Sequence, residues 1–204
     1  MYYCAVKAHR SDLRRRLTRL AATQSGYFTA AQARDVGYSY QAQKYHVDHG
    51  NWQKVDRGLF RLPEWPPGEH EDLVRWTLWS RGKAVVSHET ALVVHNLGDA
   101  NPTRVHLTVP PGFSARAPGA VLHYGEIPSN DVEQFEGYRV TTPLRTLLDV
   151  AADGFELDQF TTAVRDALDQ GMVTRRLLRD RADEFDDRAA LWVERALSSI
   201  AEQS

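Results

Sequence analysis

The chain of 204 residues contains one cysteine, Cys4, so it has no second thiol for an internal disulfide or a thiolate metal site. It has no apolar run near the roughly 18 residues that a membrane-spanning helix requires. Runs such as 91–94 and 150–152 are far shorter. Residues 1–10 mix Tyr, Cys, Lys, His and Arg and lack the apolar stretch that drives export. These absences lead us to expect a cytoplasmic protein in a reducing compartment. Catalytic signatures are missing as well. There is no glycine-rich phosphate loop with Lys and Ser or Thr, no His-Glu-x-x-His, no Gly-x-Ser-x-Gly and no protein-kinase motif set, so no motif demands an enzyme.

What is present is ordinary for a folded protein: 42% apolar and 25% charged residues, enough to bury a core. The length fits one domain or two, and the charge distribution favours two. Residues 1–62 hold 11 Lys and Arg against 4 Asp and Glu, a surplus of +7, whereas the remainder carries −9. A basic head suits a polyanion, because Lys and Arg release condensed counterions when they neutralise phosphates.

Residues 11–24 read as an amphipathic helix, with Leu13, Leu17, Leu20 and Ala21 at spacings of three and four and Arg14, Arg15, Arg16 and Arg19 on other faces. Gly26 ends it. Thr29 is placed to cap a short helix over 30–36, closed by Gly37, and Ser39 to cap another over 40–49, stopped by Gly50. Trp52-Gln-Lys-Val55 and Leu59-Phe-Arg-Leu62 then alternate around Asp56-Arg57-Gly58, which predicts a hairpin. Helix, turn, helix and hairpin in this order describe a winged helix-turn-helix, whose second helix enters the major groove while its wing follows the backbone.

Tyr40, Gln41, Lys44 and Asp48 share one face of that helix. Gln41 has the donor and acceptor pair that reads adenine, Lys44 suits guanine or phosphate, and Ser39 sits where a helix N-terminus meets phosphate. With Arg14 and Arg15 on the first helix and Lys54, Arg57 and Arg61 on the wing, these are the candidate DNA-binding residues. The helix register stays open, since either Ala42 with Tyr45, or Gln43 with His46 and Val47, supplies the buried side. His46 and His49 lack a third ligand nearby, and no metal is expected there.

Residues 63–69, rich in proline and glycine, are expected to link the head to a second domain over 70–204. Helices are predicted over 72–80, with Trp76 and Trp79, and over 88–95 behind Ser87. Strands over 104–109, 121–124 and 138–140 imply a small sheet. Thr142-Pro143 opens a helix whose buried stripe is Leu144, Leu147, Leu148 and Ala151, and residues 157–201 continue as acidic helix. The fold class expected is therefore α+β, a winged helix-turn-helix followed by a mixed α/β domain with a small sheet and a helical C-terminus. His88 and His95 on one helix and His106 and His123 on strands make a shared pocket conceivable, although packed histidines with satisfied hydrogen bonds are the commoner case. Asp180, Asp183, Glu184, Asp186 and Asp187 form either a docking surface or a solvated face.

The segments Gly26-Tyr-Phe-Thr-Ala-Ala-Gln-Ala, Gly50-Asn-Trp-Gln-Lys-Val-Asp-Arg-Gly-Leu-Phe-Arg-Leu-Pro63, Ser87-His-Glu-Thr-Ala-Leu92, His106-Leu-Thr-Val-Pro110 and Val140-Thr-Thr-Pro-Leu-Arg-Thr-Leu-Leu-Asp149, in this order, resemble the AbiEi family of antitoxins from type IV toxin–antitoxin systems over residues 11–180. The resemblance implies a repressor of its own operon, bound to double-stranded operator DNA at inverted repeats, with a co-encoded nucleotidyltransferase toxin as partner. The family's leucine in the second helix is here Gln43 or His46. No cofactor is expected. ATP and magnesium enter only under the alternative that the antitoxin is an atypical serine protein kinase silencing its toxin by phosphorylation.

Overall fold

A computed structural model describes residues 2–203, with side chains from residue 11 onward; the side chain of Cys4 lies outside the described residues. The chain forms two compact units, Met1–Gly82 with Glu136–Tyr138, and Lys83–Phe135 with Arg139–Ser204. This division falls after Gly82, whereas the sequence places a linker at 63–69. The first unit is thus larger than the basic head, and its charge is 13 Lys and Arg against 9 acids, +4, with 12 against 18, −6, in the second. The asymmetry keeps its sign but shrinks.

In the first unit α1 (Tyr2–Ala22) begins before the expected span. A short strand β1 (Tyr27–Thr29), which sequence reading missed, leads into α2 (Ala30–Val36). The expected cap is a full capping box: the Thr29 hydroxyl accepts from the Gln32 amide, and the Gln32 side chain accepts from the Thr29 amide. Helix α3 (Tyr40–Asp48) follows, with Ser39 Oγ accepting from the Ala42 amide. The wing is β2 (Gln53–Asp56) and β3 (Leu59–Arg61), and β1 pairs antiparallel with β3 to give the order β1-β3-β2. Leu17, Ala21, Phe28, Ala33, Tyr38, Trp52, Phe60 and Leu62 form one core, in which Trp52 meets Phe28 edge-on at 4.8 Å. Helix α4 (Glu71–Trp79), expected in the second domain, belongs to this unit. Glu71 receives Arg61 Nη2 at 2.8 Å.

Gly26 joins α1 to β1 with φ +82°, and a Cβ there would lie 2.5 Å from Trp65. Left-handed strain and overpacking then add. Gly26→Ala is expected to destabilise the unit by about 2–3 kcal/mol, read as a fall in chemical-denaturation midpoint; an unchanged midpoint would refute this packing.

The second unit is built on a five-stranded sheet of order β6-β5-β4-β8-β7. Its strands are β4 (Val85–Val86), β5 (Val105–Val109), β6 (Ala120–Tyr124), β7 (Val132–Phe135) and β8 (Tyr138–Thr141). β4 runs antiparallel to β5 and parallel to β8, and β5 runs parallel to β6. Helix α5 (His88–Val94) follows β4, and α6 (Pro143–Asp153) follows β8 with Thr142 as its cap and Pro143 in the first turn. Helices α7 (Leu157–Asp169), α8 (Arg175–Phe185) and α9 (Asp187–Glu202) complete a core around Leu147, Leu148, Phe160, Leu178 and Leu197. Ser87 departs from expectation. It precedes α5 but makes no side-chain cap, because its hydroxyl accepts from Thr108 Oγ1 at 2.8 Å and meets His88 Nδ1 at 2.9 Å.

Among the described residues, no helix is long and apolar enough to cross a membrane.

Candidate nucleic-acid interface and histidine cluster

Burial settles the register of α3. Gln43 is buried, with Ala42, His46 and Val47 partly so, while Tyr40, Gln41, Lys44, Tyr45 and Asp48 are exposed. Gln43 stands on the core side because its amide donates to the carbonyls of Ala30 and Tyr38 at 3.0 and 3.1 Å, so both backbone acceptors find a buried partner. His46 stacks on Trp52 at 4.8 Å, and His49 stacks on Tyr45 at 3.9 Å. The two rings are thus engaged with different partners.

The exposed face of α3 therefore presents Ser39, Tyr40, Gln41 and Lys44 together. Lys44 pairs with Asp48 at 2.8 Å, but with its side chain 76% exposed the pair is screened and exchangeable. The structure adds Arg34 from α2, which donates to the Tyr40 hydroxyl at 3.2 Å and brings a further cation beside the start of α3. Sequence reading overlooked it because it lies on the preceding helix. On the wing, Lys54 and Arg57 are exposed, with Arg57 at the turn.

Three expected contacts fare differently. Arg14 and Arg15 are exposed on α1 and carry loose pairs to Glu64 and Asp12 at 3.5 and 3.4 Å. Arg61 is not offered to a ligand. Its side chain is only 13% exposed, bonds Glu71 and the Pro66 carbonyl, and lies 5.4 Å over the Tyr27 ring. The physical reason is the acid of α4: Glu71 and the Pro66 carbonyl take the guanidinium, which packs over Tyr27 of β1.

In the second unit three of the four singled-out histidines converge. His88 and His123 stack with ring centroids 3.4 Å apart, and His123 Nε2 meets His106 Nδ1 at 3.2 Å. Asp153 at the end of α6 places Oδ2 3.5 Å from His88 Nε2 and 3.3 Å from His123 Nδ1. Glu89 lies 4.0 Å from His106 Nε2. His88 carries this with a left-handed backbone, φ +53°, a strained conformation for a non-glycine residue. A cavity of about 330 Å³ opens over His88, His106, Asp153 and Phe155. His95 stands apart, bonded through Nε2 to the Thr141 carbonyl at 2.7 Å.

Burial lowers the pKa of all three clustered histidines. That of His88 falls to about 2, with His123 and His106 adding to the effect of burial. The unfolded chain protonates them near 6.5, so below that pH it binds more protons than the native state and stability falls on acidification. Asp149 acts the other way, since burial raises its pKa to about 6 and the native state holds its proton first. The histidines outnumber it. Melting temperature is expected to drop between pH 6.5 and 5.5, His88 alone contributing about 1 kcal/mol, and a rise over that interval would contradict the neutral cluster.

A three-helix head with a three-stranded sheet whose β2-β3 hairpin is the wing, followed by a mixed α/β unit, defines a winged helix-turn-helix protein with an appended α/β domain. Residues 15–63 match the model described as "Transcriptional regulator, AbiEi antitoxin", and residues 84–197 match the "AbiEi antitoxin C-terminal domain". The chain belongs to the AbiEi antitoxin family. The fold is similar to that of the RV2827C protein from Mycobacterium tuberculosis, with a TM-score of 0.59 at 14% identity over 94% of this chain and 77% of that one. No curated protein matches the sequence.

Proposed function

We propose that the chain binds operator DNA through the exposed face of α3 and the wing, represses its own operon at inverted repeats, and engages a co-encoded nucleotidyltransferase toxin through its second unit. The observation that carries the DNA half is the exposure of Ser39, Tyr40, Gln41 and Lys44 on one face of α3, with Lys54 and Arg57 exposed on the wing. Phosphate contacts by Lys54, Arg57, Arg14 and Arg15 would set position, while Gln41 and Lys44 would read base edges. Membership of an antitoxin family with a transcriptional-regulator domain supports the same reading. Arg61 has no place in it.

The test is a mobility shift of the full chain on the DNA upstream of its own coding region. Lys44→Ala and Arg57→Ala are each expected to weaken binding, and retention of full affinity by both would reject this placement of helix and wing.

For the toxin, the −6 balance of the second unit supports docking on a basic, RNA-handling surface by charge complementarity. Association of the full antitoxin with the toxin should then weaken steadily with added salt. Binding indifferent to salt would count against an electrostatic dock.

A further inference from the structure

We propose that His88 Nε2, His123 Nδ1 and Asp153 Oδ2 form a binding site for a divalent transition-metal ion of the zinc class, with its remaining coordination position open to the adjoining cavity. Two imidazoles and a carboxylate are the donor set of open zinc sites, which keep a place for water or substrate beside three protein ligands.

The three donor atoms lie within 4.8 Å of one another. Donors bound to zinc at about 2.0–2.1 Å in a tetrahedron stand about 3.4 Å apart. The two distances to Asp153 Oδ2, 3.5 Å from His88 and 3.3 Å from His123, already match that edge. Both imidazoles are also oriented from behind. With its proton on Nδ1, His88 donates to Ser87 Oγ at 2.9 Å and turns the Nε2 lone pair toward Asp153. With its proton on Nε2, His123 donates to His106 Nδ1 at 3.2 Å and leaves Nδ1 free to ligate, and the far nitrogen of His106 faces Glu89 at 4.0 Å. Such outer partners fix the tautomer and the ring orientation of metal-binding histidines.

His88 and His123 stack with their planes nearly parallel, at 3.4 Å and 11°. Ligation requires the rings to tilt so that their lone pairs converge. The open side is the cavity of about 330 Å³, bordered by Glu89, Gly154, Phe155 and Glu156, which has room for a water or a small anionic group on the ion.

The full chain, stripped with a chelator and dialysed, is titrated with ZnCl2 by calorimetry and followed in parallel by thermal melting. One equivalent is expected to bind in the micromolar range or tighter and to raise the melting temperature. His123→Ala and Asp153→Asn should each weaken that event at least 100-fold, His106→Ala about 10-fold, and His95→Ala not at all. Asp153 is 57% exposed at its side chain, so Asp153→Asn keeps the fold and remains informative should His123→Ala fail to fold. No heat from zinc at 100-fold excess over a micromolar protein concentration overturns the proposal. So does zinc binding that Asp153→Asn leaves unchanged, which would place the ion elsewhere.

Discussion

Replacing Lys44, Lys54 and Arg57 together by alanine is expected to reduce affinity for upstream DNA on the order of 10²–10³-fold near physiological salt. The three side chains are exposed cations on α3 and the wing, and each phosphate they neutralise contributes about −0.9 to the slope of log affinity against log salt. The slope should therefore flatten by about 3 if all three meet phosphate, and by less if Lys44 reads a base. Stability should be nearly unaffected, because exposed substitutions of this kind fall within about 0.5 kcal/mol. Anisotropy titrations across salt and a thermal melt of the same variant separate the two effects. Loss of affinity with an unchanged slope would mean that these residues act through the fold instead of through phosphate.

Arg145→Ala is expected to destabilise the second unit by about 3–5 kcal/mol, measured as a fall in the denaturation midpoint. Arg145 donates through Nε to Asp149 at 2.8 Å and through Nη1 to Asp131 at 3.3 Å, and both carboxylates are buried. Asp131 is shared with Arg181 at 3.3 Å, which ties the turn before β7 and the start of α6 to α8. The guanidinium also lies 4.8 Å over the Phe185 ring. Removing Arg145 leaves Asp149 without its cation, in a site where one carboxylate oxygen already lacks a hydrogen bond. Arg176→Ala serves as the control, since its pair with Asp180 is exposed on both sides and contributes little. Equal effects of the two substitutions would show that the buried network is not what holds α6.

Much of the head was legible because its signals are local. Thr29, Ser39 and Gly37 punctuate α2 and α3 through bonds made within four residues, and Thr142-Pro143 does the same for α6. The strands that escaped reading are β1, β4 and β7, whose identity depends on partners distant in sequence and not on their own periodicity. Arg61 shows the same limit at a single residue. Alternation along β3 points it outward, but β1 and Glu71 decide its fate, and neither can be inferred from the wing sequence.

The α3 register turned on Gln43, which polarity assigns to solvent. Two backbone carbonyls made its burial favourable. The histidine cluster was the least legible feature. His88, His106, His123 and Asp153 come from four different elements, so only the pairing of β5 with β6 and the placement of α5 and α6 bring them within reach. His95, seven residues after His88, stands at the opposite end of α5 and bonds the Thr141 carbonyl instead of joining the cluster.

The most direct test compares affinity of the full chain for its own upstream DNA with affinity for a shuffled fragment of the same length and composition, across a range of salt. A regulator reading bases through α3 should prefer the native fragment by at least 10³-fold and show log affinity falling linearly with log salt on both. Equal binding to the two fragments, or none to either, would contradict it.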